Sequence, residues 1–296
     1  LIYPEIEEQI HCQPKKLSNA LSTQTVLITG ASSGIGEQLA YKYASLGARL
    51  ALAARRLPEL QRVREEALKL GAPQVFVFQS DLGQIPECEQ LIEKVKEAFN
   101  NQLNLLLLNH GYSDNRLLSE YPQSGVEPKL STTLDKVLHI NIISHATLIQ
   151  LALPMLIENH GHVSLISSGS THVPIPFHLA YVTSKFAMNG FTQSLQQELY
   201  HSGLAQHVSV GVVIVGLTWT PMIERYNSEL IEAIAKPAHQ VADEILCDAH
   251  LRRQYSYAPR WMRYVMPLFS FFPDFIQKYS VKTEFLDYIP DYGQRL

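Results

Sequence analysis

The sequence predicts an α/β fold, a doubly wound parallel sheet with helices on both faces, and three observations carry that expectation. Short apolar runs alternate with longer helical stretches over most of the 296 residues, as strands joined by crossover helices do. Runs such as Leu105-Leu106-Leu107-Leu108 are continuously apolar, as strands covered on both faces must be. A glycine-rich stretch, Thr29-Gly30-Ala31-Ser32-Ser33-Gly34-Ile35-Gly36, stands between the first apolar run and the first helical stretch.

Thr25-Val26-Leu27-Ile28 reads as a buried strand, and Glu37 to Ala44 as the helix beyond the glycine turn. Arg49 to Ala54 is a second strand. A polar helix then runs through Lys69-Leu70, where Gly71 takes the place of a C-cap glycine. Val75 to Phe78 is a third strand, ending at Ser80-Asp81-Leu82, and a helix over Glu87 to Phe99 leads to the fourth at Leu105 to Leu108. A helix over Thr133 to Ile157 contains Pro154, which predicts a kink or a reset there. His162 to Ser167 is the fifth strand, a helix carrying Tyr181 follows, and Val208 to Val215 is the sixth. No linker divides the chain. One catalytic domain is expected over residues 23–250, with an extension over 1–22 and an apolar segment over 251–296.

Composition narrows the function. A net charge of −4 offers no electrostatic case for nucleic acid. Cys12, Cys88 and Cys247 are odd in number and far apart, which predicts free thiols. No group of histidines has metal-ligand spacing, and His160 and His162 read as solvated loop residues, so no metal site is expected.

Two motifs carry chemistry. Strand, glycine turn and helix make the context in which a dinucleotide motif is credible. Glycines let the backbone approach a pyrophosphate, and the helix N-terminus offers free N–H groups and a positive dipole end. The spacing is Gly-x3-Gly-x-Gly. Downstream, Ser168, Tyr181 and Lys185 stand as Ser-x12-Tyr-x3-Lys. Tyrosine and lysine four apart share a helix face, and a nearby ammonium draws a phenol toward ionisation. Ser168 can then hold an alcohol or carbonyl oxygen while Tyr181 exchanges the proton.

From about Thr25 to Pro221 these residues resemble the short-chain dehydrogenase/reductase family, with its Rossmann-type sheet. The resemblance implies a catalytic tetrad of Asn141, Ser168, Tyr181 and Lys185. It also implies cofactor contacts from Gly30, Ser32, Ser33, Gly34, Ile35 and Gly36, from Asp81 and Leu82, from Asn109-His110-Gly111, and from Gly216, Leu217 and Thr220. His110 stands where the family carries alanine, and Val215 where it usually carries proline. Lys185 would also hold the nicotinamide ribose, and Asn141 would anchor a water in the proton path. Asn-His at 109–110 and the stretch from Thr29 to Arg56 look most like 11β-hydroxysteroid dehydrogenases and plant steroleosins. That subtype implies a steroid-like or lipid substrate, a homodimer paired through the Tyr181 helix, an N-terminal hydrophobic anchor upstream of Leu1, and an endoplasmic-reticulum or lipid-droplet membrane location, with a cytoplasmic one as the alternative. Retinoid or long-chain ketone reduction, and a non-catalytic scaffold that keeps the fold, are the alternatives.

The second strand ends Ala53-Ala54-Arg55-Arg56, without the acid that usually binds the ribose 2′-hydroxyl of NAD. A guanidinium there suits a 2′-phosphate, so NADP(H) is expected over NAD(H), with one of Arg55 and Arg56 solvated. The stretch Gly169 to Phe177, with Trp219, Met222 and Tyr226, is mostly apolar and fits either a lipid pocket or simple loop packing. No run is read as long enough to span a bilayer. The aromatic stretch Trp261 to Pro273, flanked by Arg252, Arg253, Arg260 and Lys278, fits peripheral membrane contact or packing on the domain or on a second copy.

Overall fold

The computed structural model describes Cys12, Leu17 and residues 21–122, 126–223 and 234–271. Its strands are β1 (Thr25–Thr29), β2 (Arg49–Ala54), β3 (Val75–Gln79), β4 (Leu105–Leu108), β5 (His162–Ser168), β6 (Ser209–Val215) and β9 (Tyr255–Ala258), with a separate pair β7 (Thr218–Trp219) and β8 (Lys236–Pro237). The seven strands pair in parallel in the order β3-β2-β1-β4-β5-β6-β9. The connecting helices are α1 (Gly34–Ser45), α2 (Leu57–Lys69), α3 (Ile85–Ala98), α4 (Leu130–Leu138), α5 (Ser144–Glu158), α6 (Leu179–His201), α7 (Ala238–His250) and α8 (Met262–Phe271).

Successive strand residues divide between two cores because a strand turns alternate side chains to opposite faces. Val26, Ile28, Leu50, Leu52, Leu105 and Leu107 pack under α1, α2 and α7. Leu27, Ala51, Ala53, Leu106 and Leu108 pack under α3, α5 and α6. Continuous apolar runs are therefore required, and the six expected strands fall within a residue or two of their predicted ends.

Four expectations are corrected. The sheet continues past residue 250: Tyr255–Ala258 is its seventh strand, paired with Val212–Val215, so the expected boundary falls inside the fold. Its alternating, tyrosine-rich sequence hid it. The interruption in the long helix falls at a π turn over His139–Ile143, while Pro154 sits inside an unbroken α5. Leu130–Glu158, at 29 residues, is long and apolar enough to cross a bilayer by length and composition. Yet it holds buried Asn141, and Leu148, Ile149, Ala152 and Leu156 pack in the core, so it reads as a core helix.

The cysteines are the fourth correction. Cys12 and Cys247 form a disulfide with Cα atoms 5.9 Å apart, and only Cys88 is free and buried among the described residues. A sequence separation of 235 residues says nothing against a bond once the fold brings the chain's beginning to α7. The bond ties Cys12 to α7, which packs on α1. Cross-linking so long a loop restricts the unfolded chain, so Cys12→Ser should lower stability by roughly 2–4 kcal/mol. The urea midpoint without reductant is the measurement, and a midpoint equal to wild type would show that the bond contributes nothing.

Candidate active site

The carboxyl ends of the strands open onto one cleft of about 710 Å³. At its floor β1 ends and the chain turns through Gly30, at φ +66. A Cβ on Gly30 would stand 2.9 Å from His110 Cα, and one on Gly34 (φ +59) would stand 3.0 Å from Thr220 Cγ2. A Cβ on Gly36 would collide with the Gly30 carbonyl. Helix α1 starts at Gly34 with no side chain capping its first N–H groups, and Ser33, Gly34 and Ile35 line the cleft. Free donors, a positive helix end and room cleared of side chains fit the pyrophosphate of a dinucleotide.

Along the cleft stand the other expected nucleotide contacts. Arg56 donates to Ser32 Oγ at 3.0 Å and Ser33 Oγ at 2.8 Å, so it is the guanidinium that turns toward the glycine loop; both it and Arg55 lie exposed at the rim. Asp81 and Leu82 line the wall, and Asp81 Oδ1 also accepts the Gly83 N–H at 3.2 Å, a turn-capping role. Asn109 Nδ2 donates to the Thr29 and Gly30 carbonyls at 3.2 and 3.3 Å, steadying the turn. Gly216, Leu217 and Thr220 face the same space. Gly216 makes room for Met262, whose Sδ would lie 2.6 Å from a Cβ there and would have to shift.

Ser168, Tyr181 and Lys185 all reach this cleft. Ser168 ends β5 and hydrogen-bonds Tyr181, and its Oγ accepts the Ser170 N–H at 3.2 Å. Lys185 is 4% exposed; its Nζ lies 5.6 Å from the Tyr181 ring centre and donates to the Ile166 carbonyl at 2.7 Å. Burial pushes Lys185 down to about 7. Burial also pushes the Tyr181 phenol above its ordinary value, while the bond with Ser168 pulls it the other way. The resting balance is thus opposite to the lowered phenol expected from Tyr-x3-Lys spacing alone, because both groups lose hydration together.

Asn141 and Gly36 stand behind the cleft instead of lining it. Asn141, fully buried in the π turn, accepts the Tyr112 N–H at 2.7 Å and donates to the Tyr112 carbonyl and to Ser184 Oγ, both at 2.9 Å. Its side-chain amide is committed to the protein. Ser184 was not singled out from sequence; its place one residue before Lys185 on the buried face of α6 was the available signal. The apolar half of the cleft is walled by Val173, Pro174, Ile175 and Pro176, by Met222, and by Met262, Met266 and Phe269 of α8. Thr171 and Phe177 are buried and do not line it, nor does Trp219; Tyr226, Lys278 and residues 272–273 lie outside the described residues. Trp261, Tyr264, Val265 and Leu268 leave an apolar face exposed around α8.

A doubly wound sheet with a glycine turn and a serine–tyrosine–lysine set at its carboxyl edge defines a class of short-chain oxidoreductases. The short chain dehydrogenase family matches residues 24–231, and the chain belongs to that family and is an oxidoreductase. It is 34% identical over 262 residues to the Hydroxysteroid 11-beta-dehydrogenase 1-like protein of Gallus gallus, covering 88% of this chain and 86% of that protein. It is 30% identical over 275 residues to 11-beta-hydroxysteroid dehydrogenase-like 3 of Arabidopsis thaliana, covering 93% and 85%. In fold it is similar to a short chain dehydrogenase/reductase from Burkholderia phymatum in complex with NAD, with TM-score 0.69, 22% identity and coverage of 83% and 92%. A second such structure is the alcohol dehydrogenase of the archaeon Thermococcus sibiricus complexed with 5-hydroxy-NADP, with TM-score 0.66, 22% identity and coverage of 79% and 95%.

Buried Lys185 makes stability depend on pH. Its value is about 7 in the fold against an ordinary 10.5, so between these limits the unfolded chain binds the extra proton and stability rises with pH. Urea midpoints of nucleotide-free protein from pH 7 to 10 should therefore rise more steeply in wild type than in Lys185→Met. Parallel curves would mean that Lys185 is not held uncharged by burial.

Proposed function

We propose that the protein interconverts a secondary alcohol and a ketone on a bulky apolar substrate of steroid-like class, with NADP(H) as the preferred cofactor. The observation that carries this reading is the Tyr181 phenol, bonded to Ser168 at the cleft and backed by Lys185. A bound nicotinamide nucleotide would donate hydride to the carbonyl carbon in reduction and accept it in oxidation. Ser168 would hold the substrate oxygen. Tyr181 would pass its phenolic proton to that oxygen in reduction and take it back in oxidation. Lys185 would bind the ribose hydroxyls and, once charged, stabilise the phenolate.

The preference for NADP(H) rests on Arg56. It is pinned over the glycine turn by Ser32 and Ser33, and no acid occupies the end of β2. A steroid-like substrate is supported by the apolar walls of the cleft and by the names of the relatives from Gallus gallus and Arabidopsis thaliana.

Oxidation of NADPH and NADH by the purified protein should be followed with a panel of ketosteroids, retinal and long-chain ketones. Turnover with a ketosteroid is expected, reduced about 100- to 10,000-fold in Tyr181→Phe. Turnover that survives this change would sink the mechanism; turnover with retinal or long-chain ketones alone would replace the substrate class. Arg56→Ala should raise KM for NADPH by about 10-fold or more through loss of a charge-assisted contact. KM for NADH should hardly move, and an equal rise for both nucleotides would remove the cofactor assignment.

A further inference from the structure

The segment Asn109–Tyr112 crosses the floor of the cleft between β4 and the π turn, and its position is set by two side chains. One is Asn141, which grips both backbone groups of Tyr112. The other is His110 itself. Its Nδ1 lies 2.8 Å from Thr29 Oγ1 at the end of β1, and its Nε2 lies 2.9 Å from Ser144 Oγ, the first residue after the π turn. Ser144 Oγ donates to the Ile140 carbonyl at 2.7 Å, so its lone pair is what His110 meets, and Nε2 must carry the proton. In a neutral imidazole Nδ1 then accepts from the Thr29 hydroxyl, whose proton has two acceptors within reach, Nδ1 at 2.8 Å and the Leu107 carbonyl at 3.2 Å, and whose oxygen receives the Asn109 N–H at 3.0 Å. The chain of bonds runs in one direction, from Asn109 N–H through Thr29, His110 and Ser144 to the Ile140 carbonyl. It needs a neutral imidazole, and burial supplies one by pushing His110 down to about 3.

A second histidine closes the clamp. His145, fully buried, has its Nε2 3.1 Å from the His110 carbonyl and its ring centre 4.2 Å from that of His110 in an edge-to-face contact. The π turn is thus fixed just after its last residue by Ser144 and His145, and both of these bind His110. Inside the turn, Asn141 donates to Ser184 Oγ, which donates to the Tyr181 carbonyl at 2.7 Å. A π turn is rare and occurs mostly as a single turn set inside an α-helix. Here side-chain bonds hold it from within and from just beyond its end.

We propose that His110 is a positioning residue: by bridging Thr29 and Ser144 it sets the π turn, and through Asn141 and Ser184 it sets the placement of Tyr181 and Lys185 in the cleft. The inference rests on the catalytic reading of Tyr181 only for its effect on rate; the effect on the turn stands without it. Alanine at 110 would keep the backbone and lose both bonds, leaving Ser144 Oγ and the Thr29 hydroxyl without their shared partner.

Hydrogen–deuterium exchange and kinetics on the full chain test this together, in His110→Ala, Ser144→Ala and His110→Gln. In His110→Ala, exchange should speed up over residues 109–113 and 139–146 while α1 and β2 stay protected, and kcat per folded molecule should fall about 10- to 100-fold. KM for the ketone should stay within about 3-fold, since substrate contacts are untouched. Ser144→Ala, which keeps the histidine, should shift exchange in the same segments, and His110→Gln, which keeps an N–H toward Ser144, should recover part of the loss. Unchanged exchange over 139–146 in both alanine variants overturns the proposal, as does faster exchange with kcat unaltered. If wild type reduces no member of the ketone panel, the catalytic reading fails on its own, and the exchange pattern still decides whether His110 sets the turn.

Discussion

The site depends on the close approach of two strand ends, β1 at Thr29-Gly30 and β4 at Leu108-Asn109. The Asn109 side chain binds the Thr29 and Gly30 carbonyls, and a Cβ on Gly36 would come 2.6 Å from that same amide. Three glycine or asparagine choices distant in sequence thus satisfy one steric condition. Because they do, α1 can start with bare N–H groups beside the cleft. His110 follows directly, so the same approach that seats the glycine turn also seats the π turn on the far side. The glycine turn on one side of the cleft and the π turn on the other are two consequences of one contact.

Burial then sets the chemistry. Lys185 is almost fully enclosed and its charged form is disfavoured; Tyr181 is disfavoured as phenolate for the same reason. In water, neither residue would respond much to what enters the cleft. In a dry site, an added hydroxyl or phosphate oxygen changes the balance of both strongly. The pair therefore reads as poised for a ligand that restores polarity, and a ribose edge is polar in the required way.

Much of this was legible in the sequence because it is local or periodic. The parallel strands declared themselves through apolar runs such as Leu105–Leu108, and the glycine turn through its strand–turn–helix context. Ser168, Tyr181 and Lys185 could be read from spacing, since one strand end and one helix face fix their separation. What escaped was set by tertiary context. Tyr255–Ala258 has an exposed first residue and a polar one, so it lacks the run that marks a central strand. The π turn carries no breaker residue, while Pro154, which looked like one, fits within α5. The Cys12–Cys247 bond joins positions whose proximity only the finished fold creates. The direction of the Tyr181 shift was missed because spacing reports neighbours and says nothing about lost hydration.

The two halves of the cleft also differ in how the chain builds them, and that bears on specificity. Groups around the glycine turn and Tyr181 come from strand ends and helix starts, positions locked by the sheet. The apolar walls come from the loop at 173–176, from residues around Met222, and from α8, none of which is a central strand. Met262 of α8 is wedged at the floor, against Gly169 and Gly216, while its outer neighbours Tyr264 and Leu268 remain exposed. A change in α8 or in these loops can therefore reshape the apolar walls while the strand ends hold Ser168 and the glycine turn still. Under the proposed function, the reaction type would follow from the sheet, and the substrate from what is draped over its carboxyl edge.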